Sequence, residues 1–384
     1  MTYNFDEVID RRHSDSEKWR HFGDDVLPLW VADMDFRSPD VVLKALHDRV
    51  DHGVFGYMHD PLEMREAIAD RLQTRYAWHV SPDAVLLLPG VQPGFNLMCN
   101  ALCAPGDGVL IQTPVYPPIL HAYSHFAQTS IEAQLIANAD GAYSIDPDAF
   151  ERAITDRTRL FILCNPHNPV GRVFRRDELS ALAEICLRHN VAICSDEIHC
   201  DIVYRGHPHV PVASIAPEIA DKTVTLMAPS KTFNVPGLRL AAAIIPNAAL
   251  RRCFQLIQRP LMGSPSTLGV IAALAAYRDG QPWLDALLAY LEANCDYLLD
   301  YVRTEMPTVS VVRPEAIYLA WLDCRQAGIS GRPADFFMDK AKVGLNDGES
   351  FGSGGEGFVR LNFGCTRATL VEALERMRSA LVAV

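Results

Sequence analysis

Six lysines are present, at positions 18, 44, 222, 231, 340 and 342, and five of them stand in polar or helical surroundings that read as solvated. Lys231 is different. It follows the apolar run Thr223–Met227 inside APSKTFNVPGLRL, where an ammonium has little reason to sit unless a partner waits for it. A lysine that forms Schiff bases must be partly desolvated or close to other positive charge, so that its amine is neutral near pH 7. Arg239, further along the same segment, offers such a charge and also an anion site. A lysine in an ordinary surface loop is the competing reading.

Asp196 belongs to SDEIHCD, directly after the apolar run Val191–Ile193. A carboxylate at the carboxyl end of a strand points into the crevice where open α/β sheets bind ligands. There it could pair with a cationic ring nitrogen, as the acid partner of a pyridoxal phosphate ring must; a helix N-cap is the plainer alternative. Glu197, His199 and Asp201 crowd the same stretch, but their spacing matches no zinc motif, and no metal is expected.

Further groups follow other apolar runs. In CNPHNPVG a rigid turn can present the Asn168 amide to a ring oxygen. In LLPGVQPGF the amides of Gly90, Val91 and Gln92 open a helix and form a phosphate cradle, although the motif is neither a Walker loop nor a Rossmann fingerprint. TPVYPP places the Tyr116 ring where it could stack on a flat cofactor. FGYMHDP offers Tyr57 in a loop between helices. Arg360 lies in the apolar stretch FVRLNFG and needs a partner: a substrate α-carboxylate, held bidentately, or an internal Asp or Glu.

These residues need elements to carry them. Apolar runs at Val85–Leu88, Gly108–Gln112, Leu160–Cys164, Val191–Ser195, Thr223–Met227 and Leu240–Ile245 read as strands. Helices are expected at Gly94–Cys103, Pro117–Phe126, Asp177–Asn190 (with Asp177 as N-cap) and Asn247–Arg259. Near-continuous apolar strands with helices between them specify an α/β fold, a mostly parallel mixed sheet covered by helices. Ser38-Pro39 opens a helix to about Val50, with Pro at its first position. After Gly280, a long helix Trp283–Glu305, strands near Val309–Val312, Tyr318–Leu322 and Phe358–Phe363, and a helix Thr366–Val384 indicate a smaller α+β domain. The expected division is 1–49 as an arm and part of the small domain, 50–280 as the large cofactor-binding domain, and 281–384 as the small domain.

The 384 residues, 49% hydrophobic and 21% charged, describe an ordinary globular chain. A net charge of −12 argues against a large nucleic-acid surface. No signal-like segment and no run long enough for a membrane span is visible. Ten cysteines form no CxxC pair and read as buried free thiols of a reducing compartment, so a cytoplasmic location is expected.

The ordered set PGVQPG, TPVYPP, CNPHNPVG, SDEIHCD and APSKTFN, with FVRLNFG, resembles the fold-type I pyridoxal-phosphate enzymes of the class I/II aminotransferase superfamily. LWVADMDF, GYMHDP, NPHNPVGRV, SDEIHCDIVY and SKTFN are similar, more narrowly, to its cystathionine β-lyase branch, the MalY/PatB-type C–S lyases. The resemblance implies pyridoxal 5′-phosphate bound to Lys231, with Asp196 on the ring nitrogen, Asn168 on the phenolic oxygen and Tyr116 stacked on the ring. It assigns the phosphate to the Val91 and Gln92 amides, the Ser230 hydroxyl and Arg239, and places His199 where transaminases often have a tyrosine. Arg360 would take the substrate carboxylate, with the Ala32 main chain nearby. Tyr57 would reach across a homodimer with shared active sites.

The implied reaction is β-elimination from an amino-acid substrate, L-cystathionine or a related cysteine conjugate, giving pyruvate, ammonia and a thiol such as homocysteine. An aminotransferase uses the same residues and is the alternative; a lyase-fold protein with an added regulatory role is another. No second arginine stands in a recognisable substrate motif, which disfavours dicarboxylate transamination.

Overall fold

The computed structural model describes residues 3–59 and 61–382. Seven strands form one mixed sheet: β1 Val85–Leu88, β2 Gly108–Ile111, β3 Thr129–Glu132, β4 Thr158–Cys164, β5 Ala192–Asp196, β6 Thr223–Met227 and β7 Ala241–Ile244. Their spatial order is β1-β7-β6-β5-β4-β2-β3, and β7 alone runs antiparallel to its neighbours. Side-chain alternation gives the sheet a core on each face. Leu160, Ile162 and Cys164 of β4 pack with helix Val91–Leu102, whereas Phe161 and Leu163 pack with helix Arg176–Arg188.

This topology decides where the polar residues go. The turns after β1, β2, β4, β5 and β6 all leave at one edge of the sheet. Because β7 is reversed, its start lies at that edge too, and Arg239 stands two residues before it.

A second sheet has the order Ser310–Val311, Leu319–Asp323, Phe358–Asn362, Asn346–Asp347, antiparallel throughout. It shares a core with helices Gln281–Glu305 and Arg367–Leu381 and with Phe5, Leu27, Leu29 and Phe36 of the N-terminal stretch. Both the α/β sheet and the smaller α+β region match the sequence reading. The last two residues of the expected final helix lie outside the described residues.

Some local expectations are corrected. Asp177 is not the N-cap of its helix: that position is Arg175, whose N–H is accepted by Glu178 at 2.8 Å. Pro39 is the N-cap rather than the first residue of helix Asp40–His52. Lys18 is not solvated. Its side chain is fully buried, with Nζ 2.7 Å from Asp35 Oδ2 and donating to the Asp33 carbonyl at 3.2 Å. Arg11 and Trp19 Nε1 bind the same Asp35 carboxylate at 2.7 and 2.8 Å. The single-turn helix EKWR looks polar in isolation; its partners lie in a later segment, so local pattern could not reveal the burial. Helix Leu62–Tyr76 is the one expected, without bounds, after the Tyr57 loop, whereas helix Thr267–Asp279 has no counterpart in the sequence reading.

Candidate active site

A cavity of about 480 Å³ opens at the sheet edge where the turns converge. Val91 and Gln92 start the helix that follows β1, and Gly90 caps it without a side-chain hydrogen bond, so no side chain occupies those first amides. Gly94 lets this helix lie close to the sheet: a Cβ there would come within 2.9 Å of Leu226 Cδ2. Tyr116 and Asn168 stand on two adjoining turns joined by a Tyr116 N–H bond to the Asn168 carbonyl at 3.0 Å. His167 braces the same turns, its ring nitrogens lying 2.8 and 3.1 Å from the Pro114 and Cys164 carbonyls. Asp196 and His199 come from the end of β5, and Ser230 and Lys231 from the one-turn helix Pro229–Thr232 after β6. Arg239, Arg360 and Ala32 complete the wall.

The structure thus gathers every residue nominated from the sequence except one. Tyr57 is fully exposed in the loop before helix Leu62–Tyr76 and does not line this cavity.

The charges of Asp196 and Arg360 are unmatched among the described residues. Asp196 is buried, and its Oδ1 accepts only the Ile198 N–H, at 3.1 Å. No cationic side chain lies within ion-pair distance of it among the described residues. Burial, reinforced by Glu197 and opposed by Lys231, raises its carboxyl to about 7. Lys231 Nζ donates to the Ala32 carbonyl at 2.6 Å. Burial lowers its amine to about 8, with Asp33 and Asp196 opposing and Arg360 assisting.

Among the described residues Arg360 has no carboxylate partner, which removes the plainer reading of that residue. Its guanidinium donates to Asn168 Oδ1 at 3.0 Å, the Trp30 carbonyl at 2.8 Å and Asn346 Oδ1 at 2.5 Å, all neutral groups. Nε is buried without a partner, the Phe351 ring lies 5.0 Å from the guanidinium, and burial depresses the group to about 10. His199 is buried, its Nδ1 is unpartnered, and burial together with Lys231 and Arg360 drives its ring well below the ordinary range, so it is neutral.

Sequence reasoning missed several residues. Trp30, Asn346 and Phe351 line the cavity beside Arg360, and Tyr318 donates to the Ala32 carbonyl at 2.9 Å. The segment Leu29–Phe36 is laid across the cavity by side-chain amides: Asn362 Nδ2 donates to the Val31 and Asp33 carbonyls at 2.7 Å, and Asn234 Nδ2 to those of Met34 and Phe36 at 2.9 and 2.8 Å. Asn234 and Asn362 stood in quoted motifs, SKTFN and FVRLNFG, but nothing in a motif indicates that its asparagine serves a distant backbone.

A sequence profile of the family described as Aminotransferase class I and II matches residues 24–377. The chain belongs to the class I and II aminotransferase family. Within it, the chain is 42% identical to cystathionine beta-lyase PatB of Bacillus subtilis (strain 168), across 98% of this chain and 100% of the relative. The pyridoxal-phosphate-bound C–S lyase of Staphylococcus hominis superposes with a TM-score of 0.93 at 35% identity, covering 100% of this chain and 99% of that one. Cystalysin of Treponema denticola, which contains pyridoxal 5′-phosphate, gives a TM-score of 0.96 at 33% identity, with 100% of both chains covered.

Against this family background the donor set can be tested for fit. A flat ring with a cationic nitrogen and a phosphate needs an unpaired buried carboxylate, an aromatic face, an amide donor, a reactive amine and free amides at a helix start. Asp196, Tyr116, Asn168, Lys231 and the Val91–Gln92 amides meet those needs within one cavity. The residues fit the group.

Proposed function

We propose that this class I and II aminotransferase family member is a pyridoxal-phosphate-dependent C–S β-lyase. Its substrate would be L-cystathionine or a related cysteine S-conjugate, and its products pyruvate, ammonia and a thiol such as homocysteine. The observation that carries the proposal is a depressed lysine amine sharing one cavity with an unpaired buried carboxylate and an unpaired buried guanidinium. The lyases among its relatives favour elimination over amino-group transfer.

Lys231 would hold the cofactor covalently, Asp196 the ring nitrogen, Asn168 the phenolic oxygen and Tyr116 a ring face. Val91, Gln92, Ser230 and Arg239 would hold the phosphate, with His199 beside the ring. When bound, pyridoxal phosphate supplies a protonated ring that accepts the electron pair left as the substrate's α-carbon loses its proton. Asp196, as the carboxylate, keeps the proton on the ring nitrogen. Arg360 grips the substrate carboxylate and fixes which bond at the α-carbon faces Lys231. Lys231 Nζ, its amine lowered by burial to about 8, would accept the α-proton in its neutral form and can return it to the departing sulfur. The Cβ–S bond breaks with its electron pair on sulfur, and water hydrolyses the remaining fragment to pyruvate and ammonia. The segment Leu29–Phe36 shields these steps from bulk solvent.

A homodimer with shared sites is part of the proposal. Tyr57 is exposed together with Val54, Phe55 and Leu62, and Leu256 and Leu261 are exposed on helix Ala248–Met262. Exposed large apolar side chains favour cover by a partner, and a second copy would accept the Tyr57 arm. Ten unpaired cysteines, nine of them buried, support the cytoplasm as the working compartment. The common core of the N-terminal stretch and the last hundred or so residues supports counting the N-terminal arm with the small domain.

Incubation with L-cystathionine tests the function. Pyruvate and free thiol should appear in equal amounts, sustained without added keto acid. Turnover that depends on keto acid, with amino-group transfer outrunning thiol release, would replace this reading by an aminotransferase.

A further inference from the structure

Behind the cavity lies a buried carboxylate that the chemistry above does not use. Asp201 is only five residues beyond Asp196, yet it faces away from the cavity and does not line it. Its Oδ1 accepts from the Tyr76 hydroxyl at 2.8 Å and lies 2.9 Å from Arg75 Nε; its Oδ2 lies 2.9 Å from Arg71 Nη2 and accepts from Thr232 Oγ1 at 3.1 Å. Three of these partners come from helix Leu62–Tyr76. The fourth is the residue after Lys231.

The helix that carries Lys231 cannot hold itself. Pro229–Thr232 is a single turn with no side-chain cap, closed at its end by bonds from Phe233 N–H to the Pro229 carbonyl at 2.9 Å and from Val235 N–H to the Ser230 carbonyl at 3.0 Å. Isolated single turns are disfavoured, because ordering the first turn costs more than its one hydrogen bond returns. Tertiary contacts must therefore fix the direction of Lys231. Thr232 is fully buried, and Asp201 is the partner of its hydroxyl.

The same carboxylate is tied to Asp196. The segment between them is folded by bonds from Cys200 N–H to the Glu197 carbonyl at 3.0 Å and from Ile202 N–H to the His199 carbonyl at 2.9 Å. Glu197 N–H donates to the Leu226 carbonyl at 2.8 Å, on the strand that leads into the lysine turn. A closed circuit results: Asp196, the tight turn, Asp201, Thr232, the lysine turn, β6, and back to Glu197.

We infer that Asp201 is a positioning residue for Lys231, acting through Thr232 to fix the amine relative to Asp196. The inference rests on reading Lys231 as the cofactor lysine. Arg71, Arg75 and Tyr76 hold Asp201 in place independently of Thr232, so removing the hydroxyl cuts the tether without disturbing the charges. Arg71 also lies 5.6 Å from the Phe233 ring centroid and 5.0 Å from that of Tyr277, which reinforces the same junction.

Thr232→Val in the holoenzyme makes the decisive test, with Thr232→Ser as the conservative rescue. The midpoint of the pH titration of the lysine–cofactor absorbance reads the alignment directly. Thr232→Val should move it by about half a pH unit or more, and should lower kcat about tenfold with KM changed less than about twofold. Thr232→Ser should restore both values. Asp201→Asn should shift the midpoint in the same direction where it folds; where it does not, Thr232→Val alone decides. A Thr232→Val midpoint within about 0.2 unit of the parent overturns the inference whatever the rate, as does failure of Thr232→Ser to restore it. A parent protein with no lysine-linked absorbance would instead overturn the reading of Lys231 itself, so the two failures are distinct.

Discussion

Arg360 is a buried cation whose protein partners are all neutral, and a charge left so is costly unless an anion arrives. Arg360→Lys keeps the charge but loses the planar fork. It should raise the KM for an amino-acid substrate by about 10- to 100-fold while leaving cofactor absorbance intact; an unchanged KM would show that the carboxylate binds elsewhere. Asp196→Asn should retain the cofactor yet lower kcat by about 100-fold or more, since a neutral amide cannot keep the ring nitrogen protonated. Near-parental kcat would make Asp196 a turn residue only. Because the Lys231 amine lies at about 8 in the cofactor-free protein, the rate at which it captures added cofactor should climb between pH 7 and 9. Lys231→Ala should abolish capture that borohydride can trap. The residues that carry charge into the cavity were legible because ions beside apolar runs are conspicuous. Trp30, Asn346 and Tyr318 were not, since aromatic and amide side chains are unremarkable in sequence and gain a role only from what folds against them.

At the scale of elements, strands were easier to read than helices. Runs such as Leu160–Cys164 are apolar because both faces are covered, and that pattern needs no knowledge of the partner. Helix Thr267–Asp279 is apolar nearly all round, buried between neighbouring helices, so it lacks the one-sided stripe that marks an amphipathic helix. Its Gly269 sits so near another segment that a Cβ would fall 2.3 Å from the Leu238 carbonyl oxygen. Gly269→Ala should therefore cost about 1–3 kcal/mol in thermal or denaturant unfolding; a neutral result would mean that the segment before β7 gives way easily. The Tyr57 loop makes an intermolecular prediction. Tyr57→Phe and Lys231→Ala homodimers should each be impaired, whereas mixed subunits should recover activity through sites that hold both native residues. Mixtures no better than the average of their parents would count against sharing.

For the whole molecule, the two perturbed groups give the cofactor-free protein a characteristic pH profile. Asp196 is raised from 3.8 to about 7, so the folded chain holds a proton that the unfolded chain releases, and stability from this group falls as pH climbs across that interval. Lys231 is lowered from 10.5 to about 8, so the unfolded chain holds the extra proton, and stability from this group rises from about 8 towards 10.5. The two contributions are together least favourable between about 7 and 8. Melting of the cofactor-free protein should show the Asp196 part of this slope, and Asp196→Asn should erase it. The unmatched charges of Arg360 and Asp196 carry one consequence outside catalysis. Any small molecule that binds the folded chain and not the unfolded one stabilises it in proportion to the logarithm of its concentration. Proteases remove chains that open. In a growing cell, the amount of this protein that survives should therefore follow vitamin supply, falling when pyridoxal phosphate is scarce even if synthesis of the chain is constant.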